Sequence, residues 1–139
     1  MKYLLDTNVI SEHRKRERAD PAVSAWFNTV AGKDLYLSVL AVGELCKGVE
    51  RLRKQDPAQA LALSRWIEGL HTMFASRLVE VDLRTAEEWG RMNAARSLPA
   101  VDSLMAASAK VHDMVFVTRD EFRIAEFGIR LLNPFSFSG

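Results

Sequence analysis

The stretch Met1-Lys2-Tyr3-Leu4-Leu5-Asp6-Thr7-Asn8 opens the chain and guides the interpretation of everything after it. Its apolar run, Tyr3 to Leu5, has no charged break, as expected of a short strand buried on both faces of a parallel sheet. Asp6 follows where that strand would end, and Thr7 and Asn8 are residue types that turn a chain and cap a helix. Ligands of open parallel sheets bind beyond the carboxyl ends of the strands, so Asp6 is a candidate site residue. An isolated Asp at this place can also serve only as a helix cap, and that alternative stays open.

Composition limits the class of protein. The chain has 139 residues, of which 48% are hydrophobic and 27% charged, which is typical of a single soluble domain, here residues 1–139. With 19 basic and 18 acidic residues, total charge does not indicate a polyanionic partner, so nucleic-acid contacts would need local patches. No apolar run approaches the roughly 18 residues of a membrane helix. The single cysteine, Cys46, suits a reducing compartment, and we expect a cytoplasmic protein with no membrane association.

Strand-like and helix-like segments alternate along the chain. Besides residues 3–5, apolar runs predict strands at residues 35–39, 78–81, 114–117 and 129–132. Asp20-Pro21 and Asp56-Pro57 are helix starts, with a capping acid before proline at the first helical position. This alternation predicts an α/β fold in which a central parallel sheet of about five strands carries helices on both faces.

Acidic residues recur at corresponding ends of these elements. Asp120 stands after the fourth strand as Asp6 stands after the first, and Glu44 lies in the first turns of the helix after strand two. Asp102 begins a later helix, where the helix dipole alone would favour an acid. Together, four such acids are predicted to gather at one edge of the sheet. They would repel one another strongly unless a divalent cation neutralised them.

An all-oxygen acidic cluster suits a hard metal ion. Mg²⁺ and Mn²⁺ keep several waters and bind phosphate oxygens. Such an ion lowers the pKa of a water and stabilises charge during in-line attack on a phosphodiester. We therefore predict phosphodiester hydrolysis, with Asp6, Glu44, Asp102 and Asp120 as catalytic and metal-binding residues.

Five blocks of sequence resemble, in order, the signature blocks of PIN-domain ribonucleases. They are Leu4-Leu5-Asp6-Thr7-Asn8, Ser38-Val39 through Gly43-Glu44-Leu45 with Gly48, Pro99-Ala100-Val101-Asp102, Val117-Thr118-Arg119-Asp120 and Leu131-Leu132-Asn133-Pro134. More closely, they resemble VapC/FitB-type toxins of type II toxin–antitoxin pairs, over nearly the whole chain. The resemblance implies a three-layer PIN-domain sandwich and a Mg²⁺- or Mn²⁺-dependent endoribonuclease. It also implies a homodimer, inhibited by a small cognate antitoxin through which it would bind operator DNA.

The resemblance also assigns roles by position. Asp6, Glu44 and Asp102 match the core acidic triad of the family, and Asp120 matches a fourth acid. The supporting polar residues are Thr7, Asn8 and Thr118.

One segment departs from the family pattern. Many relatives have Asn at the place of Asp120 and an Asp-Phe pair three residues on, where this chain has Arg123 and Ile124. We assign the fourth acidic role to Asp120, with Glu121 as a weaker substitute.

Basic residues near the acids suggest contacts with the substrate. Arg119, between two predicted site residues, is a candidate phosphate contact. The run from His13 to Arg18, which includes Arg14, could follow an RNA backbone, meet an acidic antitoxin or form only a solvated helix face.

Two other functions stay open beside the nuclease. A receiver-like or phosphatase-like protein would use Asp6 as a covalent phosphate acceptor, but such phosphatases need a second acid where Asn8 stands. An inactive PIN-like protein would hold an antitoxin or RNA without cutting. In the nuclease hypothesis, a metal-activated water cleaves RNA to leave 5′-phosphate and 3′-hydroxyl ends.

Overall fold

The structure, a computed structural model, describes residues 1–120 and 127–139. Within them one sheet has the strand order β3-β2-β1-β4-β5, and every neighbouring pair is parallel. The strands are β1 (Tyr3–Leu5), β2 (Leu35–Ser38), β3 (Leu78–Val79), β4 (Val115–Val117) and β5 (Leu131–Leu132). The predicted five-stranded parallel sheet is confirmed.

The opening strand lies at the centre of this sheet. Leu5 is paired with Leu37 on one side and with Val117 on the other. Leu4 and Leu5 are fully buried, as their uninterrupted apolar run predicts. The two edge strands have only two residues each, shorter than predicted, since an edge strand is paired on one side only.

Within the described residues, six α-helices connect and cover the strands. They are α1 (Thr7–Arg14), α2 (Pro21–Phe27), α3 (Val39–Leu52), α4 (Pro57–Met73), α5 (Leu83–Ala95) and α6 (Ala100–Val111). Both predicted Asp-Pro helix starts are confirmed. The Asp20 carboxylate accepts from the N–H of Ala22 at 2.8 Å, and that of Asp56 from the N–H of Gln59 at 3.1 Å. The three-layer arrangement expected of a PIN-like fold is present.

Local boundaries differ from the predictions for identifiable reasons. Val39 belongs to α3 rather than to β2, because the Ser38 hydroxyl caps the helix by accepting from the N–H of Leu40 at 3.0 Å. Helix α2 ends at Phe27, before the expected stop near Gly32, and Gly32–Asp34 forms a separate 3₁₀ turn.

The core fills the space between the sheet and the helices. Its largest fully buried side chains include Trp26, Phe74 and Phe116. In residues 1–120 and 127–139, no helix has the length and apolar character needed to cross a membrane.

Candidate active site

Asp6 joins the end of β1 to the first turn of α1. Its backbone N–H donates to the carbonyl of Val117 at 2.9 Å, which ties the end of β1 to the end of β4. Its side chain caps α1, because Oδ1 accepts from the backbone N–H of Thr7 at 2.7 Å. Oδ2 accepts from the buried hydroxyl of Thr118, also at 2.7 Å. Asp6, rather than Thr7 or Asn8, is thus the helix cap, and its second oxygen is held by a residue that follows another strand.

Burial is the main influence on the pKa of the Asp6 carboxyl. Asp6 is only 4% exposed. Burial raises the pKa of its carboxyl from 3.8 to about 6, although hydrogen bonds from Thr118 and Thr7 oppose the rise. The negative charges of Asp102 and Glu44 raise this pKa further. Three acids therefore share one electrostatic environment, in which a bound cation would relieve the repulsion.

Glu44 reaches the site from α3 through a hydroxyl. Thr7 Oγ1 donates a hydrogen bond to Glu44 Oε1 while the Thr7 backbone N–H bonds to Asp6, so one residue links the two carboxylates. Asn8, the next residue of α1, has a buried side-chain oxygen with no hydrogen-bond partner among the described residues. A bound ion or its water could satisfy such an acceptor.

A small pocket brings together acids from three separate segments. Asp6, Asp102 and Asp120 all line it. Asp102 lies in the first turn of α6, and Asp120 follows β4, with its N–H donating to Oγ1 of Thr118 at 3.1 Å. Thr118 therefore bonds to Asp6 and to the backbone of Asp120 at once, which fixes these two segments relative to each other. The remaining lining residues are Pro99, Ser103, Phe116 and Thr118 itself.

The carboxylate oxygens that line this pocket are the type of ligand atom that a hard divalent cation prefers. Carboxylate oxygens are the preferred ligands of Mg²⁺ and Mn²⁺. In the part of the chain that the structure describes, no three acidic, histidine or cysteine side chains stand in positions to share one ion. Glu44 is turned toward Thr7, and both oxygens of Asp6 accept hydrogen bonds. Binding of an ion therefore requires acidic side chains to rotate toward a common centre.

The sequence also matches a known family. The match to the PIN domain spans residues 3–127, most of the chain. The chain belongs to the PIN-domain family. The membership predicted from the five sequence blocks is confirmed.

The relatives of this PIN domain include named toxins and ribonucleases. Toxin FitB of Neisseria gonorrhoeae is 31% identical over 94% of this chain and 96% of its own length. VapC ribonuclease Y4jK of Sinorhizobium fredii is 31% identical over the same shares. The crystal structure of FitAcB from Neisseria gonorrhoeae matches with a TM-score of 0.87 and 30% identity, over 97% of this chain and 99% of that one. FitAB bound to an IR36 DNA fragment matches with a TM-score of 0.86 and 29% identity, over 99% and 98%. The predicted resemblance to VapC/FitB toxins is confirmed.

Polar residues that sequence reasoning missed hold the start of α6 in this PIN domain. The fully buried Ser103 hydroxyl accepts from Trp89 Nε1 at 3.0 Å and donates to the carbonyl of Pro99 at 2.6 Å. Asn93 donates to the carbonyl of Trp89 at 3.0 Å and accepts from the N–H of Leu98 at 3.1 Å. The only signal in the sequence is the spacing of Asn93 one helical turn after Trp89, which places both on one face.

The predicted basic residues fall in two places. Arg119 is exposed and does not itself line the pocket, although its neighbours Thr118 and Asp120 do. Its guanidinium carbon lies 3.6 Å from the centroid of the Phe135 ring. Arg14 lies farther along α1, 5.4 Å from the Trp66 ring centroid, and lines a separate groove of about 370 Å³. The structure therefore does not bring Arg14 to the acidic pocket. Glu121 and the segment that departs from the family pattern lie outside the described residues.

Proposed function

We propose that this PIN domain is a Mg²⁺- or Mn²⁺-dependent endoribonuclease and the toxin of a type II toxin–antitoxin pair. The observation that carries the proposal is the convergence of Asp6, Asp102 and Asp120 in one pocket, with Glu44 linked to Asp6 through Thr7. The names of its relatives, a toxin and a VapC ribonuclease, agree with this chemistry.

The four acids would hold the ion, and the neighbouring polar residues would position them. When bound, Mg²⁺ or Mn²⁺ supplies an electrophile for the phosphate oxygens and lowers the pKa of the attacking water. Thr118 holds Asp6 from one side, and the Thr7 hydroxyl holds Glu44 from the other. Hydrolysis in this orientation would leave 5′-phosphate and 3′-hydroxyl ends.

The proposal includes the partners expected of such a toxin. Residues 1–139 would act as a single cytoplasmic domain and form a homodimer. A cognate antitoxin would inhibit it, and operator DNA would be bound only through the antitoxin complex. Support comes from the structural relatives, among which FitAB is bound to a DNA fragment.

The covalent-phosphate alternative receives less support from the site. Asp6 is buried and both of its oxygens accept hydrogen bonds, whereas a phosphate acceptor needs an accessible oxygen. Asn8 also stands where the second acid of such phosphatases is needed. An inactive, binding-only relative is separated from the nuclease by the cleavage experiment below.

The proposal is tested by incubating total cellular RNA with antitoxin-free protein in Mg²⁺, Mn²⁺ or EDTA. We expect discrete fragments that require metal, and a loss of at least about 100-fold in Asp6→Asn, because a metal-binding carboxylate contributes several kcal/mol to transition-state stabilisation. The matched control is Asp113→Asn, an exposed acid paired with Arg130 outside the pocket. It should cleave like the wild type.

Two results would contradict the nuclease. Cleavage by Asp6→Asn at the wild-type rate would show that the acidic pocket is not the catalytic site. If the wild-type protein bound the antitoxin but neither bound metal nor cleaved RNA, the binding-only alternative would be favoured.

A further inference from the structure

Arg119 makes an unusually close contact with an aromatic ring. Its guanidinium carbon lies 3.6 Å from the Phe135 ring centroid, whereas other cation–ring contacts among the described residues measure 5.3 to 5.7 Å. At 3.6 Å the guanidinium is in van der Waals contact over the ring, as in a stacked pair. Stacking uses the face of the guanidinium and leaves the N–H groups at its edge accessible.

Those N–H groups have no hydrogen-bond acceptor within residues 1–120 and 127–139. Arg130 differs, because it donates to the Asp113 carboxylate at 2.6 Å. Glu12 interacts electrostatically with Arg119, but its Oε1 already accepts from Lys15 at 3.0 Å. Arg119 therefore presents its donors at the surface, on the residue between Thr118 and Asp120, which both line the acidic pocket.

The ring that holds Arg119 is itself fixed by the end of the sheet. The N–H of Thr118 donates to the carbonyl of Leu132 at 2.9 Å, which ties the segment before Arg119 to β5. The following 3₁₀ turn, Pro134–Ser136, is capped by Asn133, whose side chain accepts from the N–H of Phe135 at 3.0 Å. The segments that carry Arg119 and Phe135 are therefore held by one backbone hydrogen bond between them and by the side-chain cap of Asn133.

A polyanion approaching this pocket meets concentrated negative charge. Asp6, Glu44, Asp102 and Asp120 together repel phosphate, and the whole chain has a net charge of only +1. A positive charge on the residue between Thr118 and Asp120, both of which line the pocket, opposes that repulsion. The planar fork of Arg suits the paired oxygens of a phosphate.

We propose that Arg119 binds a backbone phosphate of the RNA, the one adjacent to the phosphate at which the strand is cut. Phe135 is the positioning residue that orients the Arg119 guanidinium. This deepens the proposed nuclease function and rests on it. Phosphate contacts position a nucleic acid without reading its sequence, so the contact should strengthen binding of RNA of any sequence.

Binding is measured in the Asp6→Asn background, where RNA should stay intact, by fluorescence anisotropy of a labelled single-stranded oligoribonucleotide at two salt concentrations. The variants are Arg119→Gln, Arg119→Lys, Phe135→Leu and the double variant Arg119→Gln/Phe135→Leu. Arg53→Gln removes an exposed arginine paired with Glu50 on another helix. Phe137→Leu makes the same aromatic change just after the same turn. KM and kcat are measured for the same changes without Asp6→Asn.

Loss of one charged phosphate contact predicts about tenfold weaker binding for Arg119→Gln, and a slope of log affinity against log salt reduced by about 0.7. Phe135→Leu should weaken binding by about threefold and raise KM while kcat is retained, since it removes ground-state and transition-state binding equally. Arg119→Lys should be intermediate. The double variant should bind no more weakly than Arg119→Gln, because the ring acts only through the guanidinium.

Affinity within about twofold of the parent for Arg119→Gln would overturn the proposal, as would additive losses in the double variant. The proposal would also be overturned if the Asp6→Asn protein bound no RNA, or if Arg119→Gln weakened only the binding of the antitoxin. Absence of cleavage by the wild type, with RNA binding lost in Arg119→Gln, would count against the nuclease and not against this contact.

Discussion

Asp6 performs two tasks with one side chain. Oδ1 caps α1 through the N–H of Thr7, and Oδ2 is held by Thr118 at the pocket. Its burial raises the pKa of the carboxyl to about 6, so without a cation the charged form is disfavoured in the folded state. The folded protein thus holds a charged carboxylate at a cost in stability.

This cost predicts a pH dependence of stability in the metal-free protein. The pKa of Asp6 is raised from 3.8 to about 6, so between these values the folded state binds a proton that the unfolded state has lost. The Asp6 contribution to the free energy of unfolding should therefore fall by about 3 kcal/mol as pH rises through this window. Urea unfolding in EDTA at about pH 5 and pH 7.5 measures the change.

Asp6→Asn is the informative comparison for this prediction. Asn has no charge to desolvate, and its side-chain oxygen can still accept from the N–H of Thr7. The variant should lack the Asp6 part of the pH dependence and be more stable than the wild type at about pH 7.5. If the free energy of unfolding fell equally with pH in the wild type and in Asp6→Asn, the pH dependence would not come from Asp6.

At the scale of the elements, the junction between α5 and α6 places Asp102. Helix α5 ends at Ala95 and α6 begins at Ala100, so only a few residues connect them. Asn93 fastens this connection through its bonds to Trp89 and Leu98. The position of Asp102 in the pocket therefore depends on polar contacts made by the preceding helix.

Asn93→Ala should lower kcat by about tenfold, because the first turn of α6 loses a fixed position and Asp102 moves with it. The free energy of unfolding should fall by about 1 to 2 kcal/mol, since the Leu98 N–H loses its acceptor. Steady-state cleavage and thermal unfolding measure the two effects.

The control for this prediction is Arg91→Gln, on an exposed part of the same helix, where the arginine pairs with Glu88. Arg91→Gln should leave both kcat and the free energy of unfolding close to the wild-type values. Wild-type kcat in Asn93→Ala, together with reduced stability, would show that Asn93 serves the fold alone.

At the scale of the whole molecule, sheet order creates the pocket. Strands β1 and β4 are neighbours although most of the chain separates them, so Asp6 and Asp120 meet at one edge. Helix α6 runs back to the start of β4 and brings Asp102 to the same edge. Acids gathered from distant parts of the chain exist as a cluster only in the folded state, which links cation binding to folding.

That linkage predicts that Mg²⁺ or Mn²⁺ stabilises the folded protein. A cation at about 100 times its dissociation constant should raise the free energy of unfolding by about 2.7 kcal/mol. Asp102→Asn should lose most of this increase, whereas Asp113→Asn should keep it. Thermal unfolding across a metal titration provides the measurement, and equal stabilisation of all three proteins would place the ion elsewhere.

The sequence by itself determined the local features of this protein. The apolar run before Asp6, the acid-proline starts at Asp20 and Asp56 and the cap residue Ser38 act through near neighbours, so they could be interpreted without a structure. The alternation of strands and helices indicated the parallel sheet for the same reason. Helix and strand ends were less accurate, because they depend on which groups the rest of the fold leaves unpaired.

Only the tertiary structure decided how the acids are connected. The bond from Thr118 to Asp6, the bridge from Thr7 to Glu44 and the stack of Arg119 on Phe135 join residues far apart in sequence. The raised pKa of Asp6 likewise results mainly from burial by the assembled core. Such properties depend on sheet order, register and packing summed over the molecule, because side chains interact across distances that sequence spacing does not record.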